Sequence, residues 1–425
     1  MKVYLDTIGC RLNQSEIEHM AIQFRTAGHT IVQSAAEADW VVVNTCAVTA
    51  EAASDSRQHI RQAVKAGAGE VLVTGCWATL DQKAALDLTG VTRVFMNDQK
   101  DQLVSDFLDL PQEIFDHEPL AREPLPGLHL RTRAFIKAQD GCDNHCTFCI
   151  TRIARGRGRS LPVAEILQQI ERALKGGAQE IVLSGVHLGS WGSDFEHPLH
   201  LADLVKTVLH HSDVSRLRLS SVEPWDLEDT FFRLWEDPRL CRHLHLPLQS
   251  GSASVLHRMA RKTTPDSYRA LVTAARTCAS QMALTTDMIV GFPGETESEF
   301  EESLAFCQEI QFSAGHIFSY SVRPGTPAAR LPGQLSGTII KARSARLRSA
   351  FQQMAEIYRE AFTGQSMSVL WESADSLNEE GWRVQGLTDN YLRVSAIAPQ
   401  SLWNTISTVR LDRPNQTGFD GTIVS

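Results

Sequence analysis

The chain of 425 residues is long enough for two or three domains with substantial cores, and its 43% hydrophobic and 21% charged content is ordinary for a globular protein. No apolar run approaches the roughly 18 to 20 residues of a membrane span, and the start MKVYLDTIGC enters a strand without a signal peptide, so a membrane protein is excluded and a cytoplasmic one expected. A net charge of −9 argues against a nucleic-acid partner until it is resolved along the chain: residues 1–120 hold nine Lys/Arg against seventeen Asp/Glu, whereas residues 121–160 hold eight against three.

Residues 1–110 read as alternating strands and helices. Strands are expected over Lys2 to Ile8, Trp40 to Asn44 and Val71 to Thr74, with helices over Gln14 to Ala27, Thr49 to Ala66 and Leu80 to Leu88. Such alternation implies a doubly wound parallel sheet, in which the loops beyond the strand ends gather at one edge and bind ligands. Cys10, Cys46 and Cys76 each lie just past a strand, in TIGC, NTC and TGC. A lone free cysteine is usually a buried structural residue. Three in equivalent topological positions point to a three-thiolate metal site.

Residues 111–128 belong to a proline-rich stretch without periodicity, Leu110 to Leu128, and read as a linker. Residues 129–360 form the next domain. A strand over His129 to Ala138 delivers the loop DGCDNHCTFC, where Cys142, Cys146 and Cys149 form CxxxCxxC. Thiolates are soft donors that select iron-sulfur clusters, zinc or cuprous ions. With three ligands one coordination position stays open, unlike a closed structural zinc site. His145 is the one nearby candidate for a fourth ligand, and the loop geometry makes it a bystander. Nine cysteines, an odd number, suit such metal sites in a reducing compartment better than a secreted disulfide framework.

CxxxCxxC with Phe148 before its last cysteine resembles the radical S-adenosylmethionine (SAM) superfamily. That resemblance implies a 4Fe-4S cluster on Cys142, Cys146 and Cys149, with SAM on the open iron yielding a 5'-deoxyadenosyl radical. A leading sheet domain carrying one cysteine after each of three strands makes the likeness specific to the methylthiotransferase family. The family implies a second 4Fe-4S cluster on Cys10, Cys46 and Cys76, and replacement of a C–H bond by C–S–CH3.

After the cluster loop, further strand-helix units fit a partial (β/α) barrel, whose site collects at the carboxyl ends of the strands. The turns there read SGVHLGSWG, SSVEPWD, LPLQSGS and DMIVGFPGE. By the same resemblance they bind SAM: Ser184 and Gly185 face its amino group, Ser220 and Glu223 its ribose or methionyl groups, and Gln249 its adenosyl portion. Arg261 lies near the same pocket.

Arg152, Arg155, Arg157 and Arg159 follow the cluster loop closely and are expected to surround the mouth and bind an RNA backbone. Lys341, Arg343, Arg346 and Arg348 lie on a long helix and read as a solvated face. Cys241, Cys278 and Cys307 form no ligand set and read as buried structural residues.

Residues 361–425 change to short alternating strands, a small β-barrel. VLWE and GLTDNYLRV resemble the TRAM domain, an RNA-binding barrel. After Thr363, four Arg and no Lys face seven acids, so this copy is equally suited to docking on the central barrel or shaping its mouth.

CAVTAEAASDSRQ, QDGCDNHCTFCI and ARGRGRS resemble most closely the subgroup that modifies N6-threonylcarbamoyladenosine at tRNA position 37. Sister subgroups act on N6-isopentenyladenosine or a ribosomal-protein aspartate. The implied partner is the tRNA anticodon loop; the electron donor and sulfur source are not identified. An alternative of another class is a non-catalytic RNA-binding protein with structural zinc.

Overall fold

Alternating valines decide the first layer. In a strand over Trp40–Thr45, Val41 and Val43 bury on one face with Ile60, Val71 and Val73, while Val42 buries on the other with Ile17, Phe24 and Leu72. A strand apolar on both faces lies between two helix layers. The computed structural model, which describes residues 1–117, 132–378 and 381–424, places it so. Strands β1 (Lys2–Thr7), β2 (Thr30–Ile31), β3 (Trp40–Thr45), β4 (Glu70–Gly75) and β5 (Val91–Val94) form one parallel sheet in the order β2-β1-β3-β4-β5. The doubly wound sheet expected from the sequence is present. Its edges, β2 and β5, are too short to carry a periodic signal. The expected helix over Leu80 to Leu88 is broken into Cys76–Leu80 and Gln82–Leu86 at Asp81, whose carboxylate caps the second segment at Ala84 N.

In the central domain, β6 (Arg133–Asp140) is flanked by the short antiparallel β7 (Arg159–Ser160) and pairs in parallel with β8 (Glu180–Gly185), which pairs with β9 (Arg216–Leu219). Strands β10 (His243–His245), β11 (Ala283–Val290) and β12 (Ala314–Ser319) continue in parallel. A bridge between Ser221 and His245 joins the two groups into one open barrel wall. Outward residues Ile136, Leu183, Leu219, Leu244 and Met288 bury against the surrounding helices. The alternate, inward positions carry Lys137, Ser184, Arg218, His245, Asp287 and His316. A barrel interior is ordinarily filled by aliphatic layers; this one is polar.

The C-terminal strands β13 (Ser366–Asn378), β14 (Gly381–Thr388), β15 (Arg393–Ala398), β16 (Ile406–Pro414) and β17 (Phe419–Ile423) close into a five-stranded barrel. Its Asp389–Tyr391 turn covers the amino ends of the central strands, so it does not shape the mouth at the carboxyl ends. Arg218 donates to Asp389 O at 2.9 Å, Arg242 pairs with the Asp389 carboxylate at 2.6 Å, and Tyr391 stacks on His243 with ring centroids 4.6 Å apart. Beneath that turn Glu180 is buried against Arg216 and Arg218, at 3.0 and 2.6 Å. Burial alone would raise its pKa, but the two guanidinium groups hold it down to about 2.

Two lesser expectations change. Cys278 is exposed, while Cys241 and Cys307 are buried as expected. The basic helix face over Gly337–Glu360 is not simply solvated: Arg343 is buried on Glu295 and Glu297, and Arg346 pairs with Glu297 and Glu301. Most of the linker (118–128) and the first residues of the expected strand (129–131) lie outside the described residues. Among the described residues no helix is long and apolar enough to cross a membrane.

Candidate metal centres and the pocket between them

The switch point of the first sheet lies between β1 and β3, and Cys10, Cys46 and Cys76 follow β1, β3 and β4, which are neighbours. Cys10 stands before helix Arg11–Thr26, Cys46 directly follows β3, and Cys76 opens helix Cys76–Leu80. Asn13 Nδ2 donates to Ile8 O at 2.8 Å and to Thr45 O at 3.0 Å, pinning the two turns that present Cys10 and Cys46. Asn97 Nδ2 reaches Cys76 Sγ at 3.7 Å and Ala154 O, in the next domain, at 2.7 Å. Burial pushes the Cys46 thiol up to about 11, and the charges of Cys10 and Cys76 add to the rise. Three neighbouring thiols, of which Cys10 and Cys46 have raised proton affinity, fit a positively charged iron-sulfur core, whose binding displaces protons.

The backbone that presents Cys76 tolerates only glycine at its last strand residue. Gly75 has φ of +99°, and an added Cβ would lie 2.3 Å from Thr45 O. Gly75→Ala is therefore expected to displace Cys76 at a cost of about 1–3 kcal/mol of strain. Iron and acid-labile sulfide in anaerobically purified protein are the measurement: the variant should lose the N-terminal share, and wild-type content would contradict this account.

The second triad lies on the loop after β6. Gly141, with φ of +69°, passes so close to Arg157 that a Cβ would meet its carbonyl oxygen at 1.9 Å. Backbone N–H groups of Asn144 and Thr151 point at Cys142 and Cys149 Sγ, both at 3.4 Å. Burial raises the Cys146 thiol to about 11, opposed by Arg261, whose Nη1 is 3.9 Å from the sulfur. His145 is exposed, with its ring against the Arg152 guanidinium. Tetrahedral zinc, with Zn–S of about 2.3 Å, draws its sulfurs to roughly 3.8 Å from one another. Among the described residues neither cysteine triad closes to within 4.8 Å, as His245, Asp287 and His316 do.

The expected cofactor-binding residues outside this loop follow or end the neighbouring strands at their carboxyl ends. Phe148 packs with Val255, Met259 and Phe292. Ser184 is buried at the end of β8, and Gly185 lies so near Gln139 that a Cβ would be 3.1 Å from its side chain. Ser220 Oγ and Trp225 Nε1 are buried without a partner, which is what a polar ligand would satisfy. Gln249 is buried with φ of +74°, and its backbone bridges Asp287 and Ile289 of β11. Both Glu223 oxygens accept from Arg261, at 3.0 and 2.7 Å, and the guanidinium lies 4.4 Å over the Trp225 ring. Glu223 thus fixes Arg261 beside Cys146. These residues fit SAM held at the second triad.

His187 was not singled out from the sequence. It is held by Asp226 at 2.6 Å; burial works to lower its pKa, but hydrogen bonds to Asp226 and Cys142 raise it to about 10. Its position in a Gly-rich turn beside the named Ser184 was the available signal.

Arg155 corrects the expectation of four arginines at the mouth. It is 4% exposed and donates to Glu16 Oε1 and Asp140 Oδ1, each at 2.9 Å, and to Asn13 Oδ1 at 2.7 Å. It is a strut joining the helix after Cys149 to the helix after Cys10, and it offers nothing to a phosphate. Arg152, Arg157 and Arg159 are exposed around the loop. The strut, together with Asn97, fixes one triad relative to the other. On the opposite side Arg323 donates to Val48 O, next to the Cys46 turn, at 3.0 Å.

The uncharacterized protein family UPF0004 matches residues 2–97, and the radical SAM superfamily matches residues 136–307. Threonylcarbamoyladenosine tRNA methylthiotransferases of Bacillus subtilis and Thermotoga maritima are 34% and 36% identical, covering 92% and 87% of this chain and 89% and 86% of their own. A tRNA-2-methylthio-N(6)-dimethylallyladenosine synthase of Alkaliphilus oremlandii is 28% identical over 100% of this chain and 93% of its own. Among solved structures, the radical SAM methyltransferase TsrM of Kitasatospora setae shares the fold with a TM-score of 0.57 at 14% identity, covering 77% of this chain and 75% of that one. With two thiol triads on adjoining domains, and relatives more than 30% identical over most of both chains, the chain belongs to the radical SAM methylthiotransferase family.

Proposed function

We infer that this protein converts N6-threonylcarbamoyladenosine at position 37 of tRNA to its 2-methylthio derivative. The observation that carries the reading is the fixed juxtaposition of the two thiol triads through Asn97, Asn13 and Arg155. Insertion of sulfur at an unactivated aromatic C–H carbon gains little from acid-base catalysis. When bound, the two clusters and SAM supply the radical, sulfur and methyl chemistry. Cys142, Cys146 and Cys149 would hold the SAM-binding cluster, and Cys10, Cys46 and Cys76 the auxiliary one.

The chain's own part is to orient and to exclude water. Glu223 and Trp225 hold Arg261 against Cys146, and Ser220 and Gln249 line the SAM pocket. An anticodon loop is unpaired, so its base can be splayed into a pocket between the two centres. Exposed Arg152, Arg157 and Arg159 meet the RNA phosphates. The C-terminal barrel is proposed as a TRAM-type module, the three units being 1–110, 129–360 and 361–425.

The test is nucleoside mass spectrometry of tRNA from a strain lacking this gene and from the complemented strain. The 2-methylthio-threonylcarbamoyl nucleoside is expected to vanish and return. Loss of the 2-methylthio-isopentenyl nucleoside instead would assign the chain to the sister activity.

A further inference from the structure

Three inward side chains of the central barrel have no part in either metal centre. His245 on β10, Asp287 on β11 and His316 on β12 bring their ligand atoms to within 4.8 Å of one another. His316 Nδ1 is 3.0 Å and His245 Nε2 3.3 Å from the same Asp287 Oδ1, and His245 Nδ1 meets Thr285 Oγ1 at 2.9 Å. Asp287 and His316 are direct partners in the parallel register, so the arrangement is fixed by backbone pairing. The His316 side chain remains 72% exposed although its partner is largely covered.

The strands that carry the cluster lead toward both sets of cofactor residues. Asp287 O accepts from Gln249 N at 2.8 Å on the SAM side. Past His316 the chain runs through Phe318, 39% exposed and 6.2 Å from the His316 ring, to Arg323, which bonds the Val48 turn beside Cys46. An exposed aromatic ring next to an exposed imidazole offers a base a stacking surface and its substituent a polar partner. The groups facing His316 are Asp287, His245 and Arg11. The hydrogen bond to Asp287 raises the His316 pKa, while partial desolvation of the ring against its neighbours and the Arg11 guanidinium oppose the rise. The imidazole is thus biased toward its cationic form.

Resting on the threonylcarbamoyl reading above, we propose that His316, oriented by Asp287, donates a charge-assisted hydrogen bond to the carboxylate of the threonylcarbamoyl group while Phe318 supports its adenine. An isopentenyl group carries no carboxylate, hydroxyl or urea, and would leave this polar wall unpaired. A site built to bond a polar substituent rejects the analogue lacking it far more strongly than an apolar pocket rejects an extra group. The three side chains therefore select the threonylcarbamoyl substrate within the family's common chemistry.

The experiment uses reconstituted full-length protein and two anticodon stem-loop RNAs, one with the threonyl carboxylate and one with that carboxylate converted to a primary amide. Wild type is expected to prefer the carboxylate in kcat/KM by roughly ten- to a hundredfold, the range of one charge-assisted hydrogen bond. In His316→Gln that preference should collapse to within about threefold, mainly through a rise in KM for the carboxylate RNA. Asp287→Asn, which frees the imidazole without removing it, should give an intermediate preference. Full wild-type preference in His316→Gln would overturn the proposal and move carboxylate recognition to the exposed arginines. A preference that disappears on chelation and returns with Mn2+ alone would also overturn it, in favour of a cation bound by the three side chains. If wild type modifies neither RNA, it is the threonylcarbamoyl reading itself that fails.

Discussion

Cys46→Ala is expected to abolish methylthiolation while the protein still cleaves SAM under reducing conditions; Cys146→Ala is expected to abolish both. The two triads are built on separate scaffolds: strand ends of the first sheet for Cys10, Cys46 and Cys76, and a single loop after β6 for Cys142, Cys146 and Cys149. Removing one thiolate from either set leaves two ligands where three were needed, and each variant should lose about half the iron and acid-labile sulfide. Product formation should fall by more than about a hundredfold in both, because residues acting as a unit fail together. The measurements are metal and sulfide content, 5'-deoxyadenosine release after reduction, and nucleoside mass spectrometry of treated RNA. A Cys46→Ala protein that still inserts sulfur would remove the auxiliary site from the reaction.

Arg155→Ala is expected to loosen the joint between the first and second domains at a cost of about 3–5 kcal/mol. The guanidinium serves Glu16, Asp140 and Asn13 at once, and Lys100 Nζ meets Glu16 at 2.7 Å from the other side. Burial would raise the Glu16 pKa, yet Lys100 and Arg155 hold its carboxyl well below the ordinary range. Its folded pKa being depressed, the stability it contributes is complete above its unfolded value near 4.3 and is lost as pH falls through the folded value. Without Arg155 that folded value moves up toward the unfolded one, so less stability is left to lose in acid, and the deficit of the variant should be largest at pH 7 and narrow as pH falls below about 4. Urea titration at pH 7 and at about pH 3.5, with limited proteolysis at the seam, reads both effects. Arg155→Lys keeps the charge but lacks the planar fork that reaches three acceptors, and should recover only part of the loss. A variant matching wild type in both measurements would show the strut to be dispensable.

The two kinds of triad differ in how openly they could be read. CxxxCxxC is local, and three thiols on one short loop have few ways to avoid meeting. Cys10, Cys46 and Cys76 are far apart in sequence, and were legible only because strand-helix alternation implies a parallel sheet whose loops share an edge. Asn13 and Asn97, which hold those loops, carried no comparable signal: a polar side chain bonding a backbone carbonyl has no sequence period. Arg155 was misassigned because basic spacing says nothing about which side of a loop faces a neighbouring acid. Its neighbours Arg152, Arg157 and Arg159 kept the expected exposure.

From the order of its residues alone this chain determined its three-part architecture, its two triads of thiols and the Gly-rich turns at its strand ends, since each follows from short-range spacing or from hydrophobic alternation. The tertiary structure alone decided that the C-terminal barrel closes the amino end of the central strands, that one arginine of four is a buried strut, and that His245, Asp287 and His316 share a wall. Those outcomes depend on which faces meet across domains, where shape and charge complementarity over long sequence separations set the pairing and no local pattern records it.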